Sequence, residues 1–293
     1  MDLSEGSVIV GSILASQKFL LQFYSDLAQP SVQKVGEALG TVIEFGTSHL
    51  NYLGAKQKAL LAIRLEQYKE KIQNIPSEQI TSVPPELGIP VFQRLTYTKN
   101  DEIADLFLEL LAKASSKKSI HLAQPRFTQI VEFLSVDEAR IISFLRGKEY
   151  LPYLSLFGEA KDGTGHRYFT PKLTGIEKYL SLDFPEAVPA YLDNLISLGI
   201  LEDRPGRRLS NLTQYFTLEA SYKEKFGQVE SEQEKYFTIT KELCHFHITS
   251  FGMKFISCVT KKTSDDEERD TASTRTYSLK IAIFDERYIK RGN

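Results

Sequence analysis

Residues 83–115 read VPPELGIPVFQRLTYTKNDEIADLFLELLAKAS, and the fold is decided there. Prolines and a glycine open the stretch, a first helix follows, the chain breaks between Tyr97 and Asn100, and a longer helix closes it. In that longer helix Ile103, Leu106, Phe107, Leu110, Leu111 and Ala114 recur at i, i+3, i+4, i+7, i+8 and i+11. This is one apolar stripe at the 3.6-residue period, with Asp101, Glu102, Asp105, Glu109 and Lys113 turned away from it. Thr98, three residues before Asp101, is the expected N-cap, and the acids of the first turn suit the positive end of the helix dipole. Burying the large apolar side chains contributes on the order of 10 kcal/mol gross, before ordering entropy is subtracted. The stretch is helical core.

On its N-terminal side, residues 56–75 are amphipathic, with Leu61, Leu65, Tyr68 and Ile72 on one side. Arg64, Glu66, Lys69, Glu70 and Lys71 make the other side a solvated charged face. Pro76 ends that helix, and the polar residues 77–85 connect it to the central stretch. Further back, residues 7–27 have a helical pattern, but the uncharged run 6–17 is too short for a bilayer, which needs about 20 residues. Residues 32–53 are apolar and rich in small side chains, Gly36 and Gly40 forming a small-xxx-small pair that lets helices approach closely. Glu37 and Glu44 interrupt this run one heptad apart. It reads either as a tightly packed soluble helix pair or as a hairpin that enters the inner membrane only when triggered. In the second case the two glutamates face a watery pore, since a carboxylate at the bilayer centre costs about 2.5–3.5 kcal/mol.

On the C-terminal side, Pro125 starts a helix through Leu134, and Ser135 with Glu138 is a capping-box signature for a helix over 136–145. Residues 151–157 and 167–170 flank the turn residues 161–166 and predict a β-hairpin. A helix over 185–198, Gly199, and a short strand at 200–203 then follow the way the second helix of a winged helix-turn-helix leaves toward its wing. Residues 211–226 read as helix, 229–235 as a charged loop, 236–249 as one or two strands and 250–259 as a short helix. The segment 261–276 has no apolar face and reads as a flexible linker, and 277–288 as a last strand or docking segment. The expected fold is mainly α with a smaller α+β part. It comprises a helical N-terminal region (1–75), a helical centre (84–134), a winged-helix-like α+β region (135–259) and a flexible tail (260–293).

Composition narrows the class. At 293 residues there is room for one large domain or two or three small ones, and 42% hydrophobic with 25% charged residues are ordinary globular values. A net charge of -2 argues against a protein that coats nucleic acid. Two cysteines, Cys244 and Cys258, make no disulfide scaffold and fit a reducing cytosol. No secretory pattern opens the chain, so the expected location is cytoplasmic, with membrane association only on triggering.

Few residues invite chemistry. Cys244-His245-x-His247 resembles a zinc ligand set, but strand alternation sends Cys244, Phe246 and Ile248 to one face and both histidines to the other. No metal site is expected. Asp162-Gly163-Thr164-Gly165 sits at a hairpin tip with no helix N-terminus behind it, so it is a turn rather than a phosphate cradle. No GxSxG, HExxH or Cys/His nucleophile pair is present, and neither a catalytic residue nor a cofactor is expected. For DNA contact, residues 185–203 contain no Lys or Arg, while Glu186, Asp193, Glu202 and Asp203 are acidic. Arg204, Arg207 and Arg208 are the candidate phosphate contacts, a thin footprint. A protein-contact winged helix is the preferred reading, with a DNA-binding regulator as the alternative.

Several stretches together resemble the abortive-infection alpha family of bacterial and phage-associated defence proteins. They are Val83-Pro84-Pro85-Glu86-Leu87-Gly88-Ile89-Pro90, Leu95-Thr96-Tyr97, the run from Leu106 to Ser115, and Leu134-Ser135-x-Asp137-Glu138-Ala139. Tyr191-Leu192-Asp193-Asn194-Leu195 to Leu198-Gly199-Ile200 and Thr249-x-Phe251-Gly252 continue the resemblance, which covers most of residues 25–260. Two departures stand out: Gln124-Pro125-Arg126-Phe127 replaces a His-Pro-Ser-Phe type motif, and Ser250 replaces a proline. The resemblance implies antiviral defence and carries no catalytic residue. The expected mode of action is through a protein partner or self-association.

Overall fold

The structure, a computed structural model, describes residues 55–261. The helix expected at 7–27, the run 32–53 with Gly36, Glu37, Gly40 and Glu44, and the tail beyond Lys261 lie outside the described residues. The described chain is mainly helical with a small antiparallel sheet, and it forms two compact units. The first unit holds residues 55–146 and 254–261, and the second holds 147–253. The sequence reading drew boundaries at 75–84 and 134/135, whereas the break in contacts falls between Arg146 and Gly147. Among the described residues no helix is long and apolar enough to cross a membrane.

The first unit contains α1 (Ala55–Gln73), α2 (Pro85–Leu95), α3 (Asp101–Ala114), α4 (Pro125–Glu132) and α5 (Val136–Leu145). As the periodicity predicts, α3 is the centre, packed by each of the other four. Its burial is wider than one stripe: Leu108 and Glu109 are also buried, Glu109 at 8% exposure. Glu109 was expected to face solvent; instead Lys71 of α1 lies over it, Nζ 2.6 Å from its Oε1 and 2.6 Å from Asp105 Oδ1. A buried carboxylate persists here because a cation is packed in with it. Arg64, also expected on the solvated face, is 2% exposed. Its guanidinium donates to the carbonyls of Thr98 and Lys99 and pairs with Asp101 at 2.7 Å, pinning the turn that starts α3.

The caps divide into one success and one correction. Ser135 and Glu138 form the capping box, each side chain bonded to the other's backbone N–H. The N-cap of α3 is Asn100 rather than Thr98: Asn100 Oδ1 accepts from Ile103 N at 3.0 Å, while Thr98 Oγ1 donates back to the Arg94 carbonyl. Either residue type caps well, so position relative to the first turn decides.

In the second unit β1 (Tyr150–Ala160), β2 (His166–Leu173), β3 (Leu201–Arg204) and β4 (Phe237–Ile248) form one antiparallel sheet in the order β2-β1-β4-β3. The hairpin turn carries an Asx contact, Asp162 Oδ1 accepting from the backbone N–H and hydroxyl of Thr164. Helix α6 (Val188–Ser197) ends at Gly199, whose φ of 77° only glycine adopts without penalty, and Ile200 N closes the cap on the Leu195 carbonyl. The chain then enters β3, so the helix–glycine–strand unit is present. Its strand pairs with β4, and the connection between them contains α7 (Thr213–Ser221) and α8 (Lys223–Gln233). Residues 229–235 were expected to be a charged loop; most of them lie in α8, where Glu, Gln and Lys supply good helix propensity and Phe226 supplies the anchor. The stretch expected as one or two strands forms the single strand β4, and α9 (Ser250–Val259) is the last helix among the described residues, its first residues belonging to the second unit and the rest to the first.

Candidate functional site

One face of the sheet is built to receive α7 and α8. Strand alternation puts Leu154, Leu156 and Leu243 on that face, and helical spacing brings Tyr215, Leu218, Tyr222 and Phe226 against it. The Tyr215 hydroxyl accepts from Leu209 N at 3.0 Å and donates to the Cys244 carbonyl at 2.9 Å, tying α7 to β4. Because Tyr215 points inward, its neighbour Phe216 points outward and is 64% exposed. Between the two helices and β4 lies a groove of about 470 Å³, lined by Phe216, Ala220, Phe226 and Gly227 with Lys223 and Lys241 among its charged residues.

The charges of this groove are arranged rather than scattered. Lys241 Nζ sits 2.6 Å from Glu219 Oε1, 4.0 Å from Glu230 Oε1 and 5.4 Å from the centre of the Phe226 ring. Lys223 makes no ion pair among the described residues. Glycine inside a helix costs about 1 kcal/mol against alanine. At Gly227 no steric reason for it is present, since a Cβ would meet nothing within 4 Å. The groove is therefore lined by both apolar residues, of which Phe216 is the large exposed one, and the charged residues Glu219, Lys223, Glu230 and Lys241, and it is open above Gly227.

A second cluster lies on the opposite sheet face. Lys172, whose φ of 59° is the left-handed value in a non-glycine residue, holds Nζ 2.6 Å from Asp193 and 3.5 Å from Asp203. Tyr153 donates to Asp203 Oδ1 at 2.6 Å; burial, helped by that carboxylate, pushes its phenol well above the usual tyrosine range. Cys244, 1% exposed, accepts from Gly206 N at 3.2 Å, and burial pushes its thiol up. A protonated, buried thiol and a lysine clamped between carboxylates are poor nucleophiles. This cluster fixes β2 and β3 to α6.

The sequence-derived candidates fall as follows. Arg204 ends β3 and is paired with Glu202 at 2.6 Å; Arg207 and Arg208 are exposed in the loop beyond it. The Arg207 carbonyl engages His245 Nδ1 at 2.7 Å, so the loop is pinned by its backbone and not by its guanidinium. Cys244, Phe246 and Ile248 are buried together on one face as alternation requires, with the histidines on the other. His245 and His247 flank Tyr150, ring centres 5.3 and 5.5 Å away, and His247 Nδ1 is 3.7 Å from Glu202. Among the described residues no group of three or more His, Cys, Asp or Glu side chains is arranged to hold a metal ion. Sequence reasoning missed Phe216, Gly227 and Lys172. The first had a signal: Tyr215, Leu218 and Tyr222 make one stripe and leave Phe216 off it.

Fold and surfaces together define a mainly helical α+β protein with an open groove between α7, α8 and β4. The family model described as abortive infection alpha matches residues 56–259, and the chain belongs to that family. It is also similar to a solved structure of an uncharacterized protein from the hydrocarbon-degrading marine bacterium Alcanivorax borkumensis SK2. That similarity has 14% identity, covers 48% of this chain and 94% of the other, and gives a TM-score of 0.27. No curated protein matches the chain.

Proposed function

We propose that this chain is a phage-defence protein of the abortive-infection type that acts by holding a protein in the groove between α7, α8 and β4, with no chemical step of its own. Membership of the abortive infection alpha family supports the process, and the groove supports the mode of action. The observation that carries the reading is Phe216: a phenylalanine 64% exposed above a groove with an open floor at Gly227 is the profile of a contact anchor. We read the second unit as a modified winged helix, in which the connection between β3 and β4 is enlarged into α7 and α8 so that the groove occupies the wing. DNA binding, the alternative for such a fold, rests on Arg207 and Arg208 alone once Arg204 is paired with Glu202, and salt-dependent binding needs more cations than that. The test is phage plating on a host expressing the protein. Protection lost on Phe216→Asp supports the reading; protection lost on Arg207→Ala with Phe216→Asp unaffected favours the nucleic-acid alternative.

A further inference from the structure

Resting on that reading, we propose that the protein the groove holds is a second copy of this chain, docked antiparallel through α8 with the two-fold axis at Gly227. Lys223, Gly227 and Glu230 lie on one side of α8 at i, i+4 and i+7, and all three line the groove. Lys223 stands about 6 Å before Gly227 along the helix axis, and Glu230 about 4.5 Å after it. An antiparallel copy crossing at Gly227 therefore sets each Lys223 opposite the other chain's Glu230. That is the self-complementary patch a two-fold interface requires.

Such a partner accounts for three features of the single chain. Lys223 makes no ion pair among the described residues, and Glu230 reaches Lys241 at 4.0 Å while Glu219 holds that lysine at 2.6 Å. The charge order of α8 also runs against its dipole. Lys223 and Lys225 open the helix beside the acid Glu224, and its last turn carries Glu230 and Glu232 with no base. A second α8 running the other way turns that order into attraction at both ends. Gly227 is the third feature: exposed and with nothing near its Cβ position, it lets a crossing helix approach closer than a larger residue would. Two acids and two bases line the groove, so its balance of charge selects neither an acidic nor a basic partner, and its own reversed pattern fits it best. One helix pair is a small contact, so the dimer forms at about tens of micromolar chain and dissociates on dilution.

Sedimentation velocity on the full chain at about 100 µM tests this. The native chain sediments as a dimer, at twice 33.3 kDa. Lys223→Glu and Glu230→Lys each weaken dimerisation at least about tenfold, because every pair across the axis becomes a like-charge pair. Mixed in equal amounts, the two variants dimerise again, since the all-acid face of one meets the all-base face of the other. That rescue separates lost pairing from a variant that fails to fold. A native chain that stays monomeric overturns the proposal. So does a dimer that either single variant keeps at full strength, or a mixture that stays monomeric. The two readings separate cleanly: a monomeric native chain together with lost protection in Phe216→Asp removes the second copy and leaves the proposed function standing, with a different protein in the groove. Dimerisation with rescue in the mixture, together with full protection by Phe216→Asp, removes the proposed function and leaves the dimer.

Discussion

Tyr215 and Phe216 are neighbours with opposite fates, and the difference is one of helical phase. Tyr215 lies on the stripe that meets Leu154 and Leu156, while Phe216 is turned 100° away into the groove. Phe216→Asp therefore changes stability by no more than about 0.5 kcal/mol, the range for surface substitutions, and a thermal melt superimposable on the native one checks this. Lys172 gives a sharper prediction. Its left-handed backbone disfavours every side chain, while its ammonium joins Asp193 and Asp203. Lys172→Gly and Lys172→Ala lose the same ion pairs, but only glycine relieves the backbone. Urea titration should find the glycine variant about 1 kcal/mol more stable than the alanine variant. None of this was legible in the sequence, because Lys-Leu-Thr-Gly carries no sign of which residue takes the positive φ. The periodicity of α3 was legible; the burial of Glu109 was not, since it depends on Lys71 arriving from a helix 38 residues away.

At the scale of elements, local chemistry announced itself at three places and misled at one, the N-cap of α3, where Asn100 and not Thr98 caps the helix. The capping box at Ser135, the hairpin turn at Asp162 and the stop at Gly199 were all read from neighbouring residues and all formed. Helix α8 was read in part as loop because only Phe226 anchors it fully, with Val229 partly buried, and its lack of an apolar stripe hides the tertiary contact that holds it. The start of α9 shows how a local motif acts over distance. Thr249 Oγ1 accepts from Gly252 N at 2.8 Å and donates to the Gly199 carbonyl at 2.6 Å, so one side chain caps α9 and ties it to the end of α6. Gly252 is then pressed onto the backbone of Ile200, where an added Cβ would overlap the carbonyl oxygen. Gly252→Ala should cost about 3 kcal/mol, the upper part of the overpacking range, seen as a lowered urea midpoint with an unchanged slope. An unchanged midpoint would show that the helix can lift off β3 without penalty.

For the whole molecule, buried phenols set the response to alkali. Burial pushes Tyr68, Tyr153 and Tyr222 above the usual tyrosine range, so all three keep their protons in the folded chain where unfolded tyrosines lose theirs. Above pH about 10 the unfolded state binds fewer protons than the native state, and stability falls with rising pH. Each such group contributes a loss of about 1.4 kcal/mol per pH unit in that window and nothing below it. Denaturant midpoints should drop steeply above pH about 10, and unfolding there should add the tyrosinate absorbance of these three phenols to that already given by the exposed tyrosines, such as Tyr97 and Tyr236. The functional account is tested elsewhere, on the groove. The most direct measurement is the plating efficiency of a broad phage panel on a susceptible host expressing the native chain or Phe216→Asp at matched levels. The account predicts that the native chain lowers plating of at least one phage by at least about tenfold, and that Phe216→Asp restores it. Equal protection by both chains, or unchanged plating across the panel with the native chain, would contradict it.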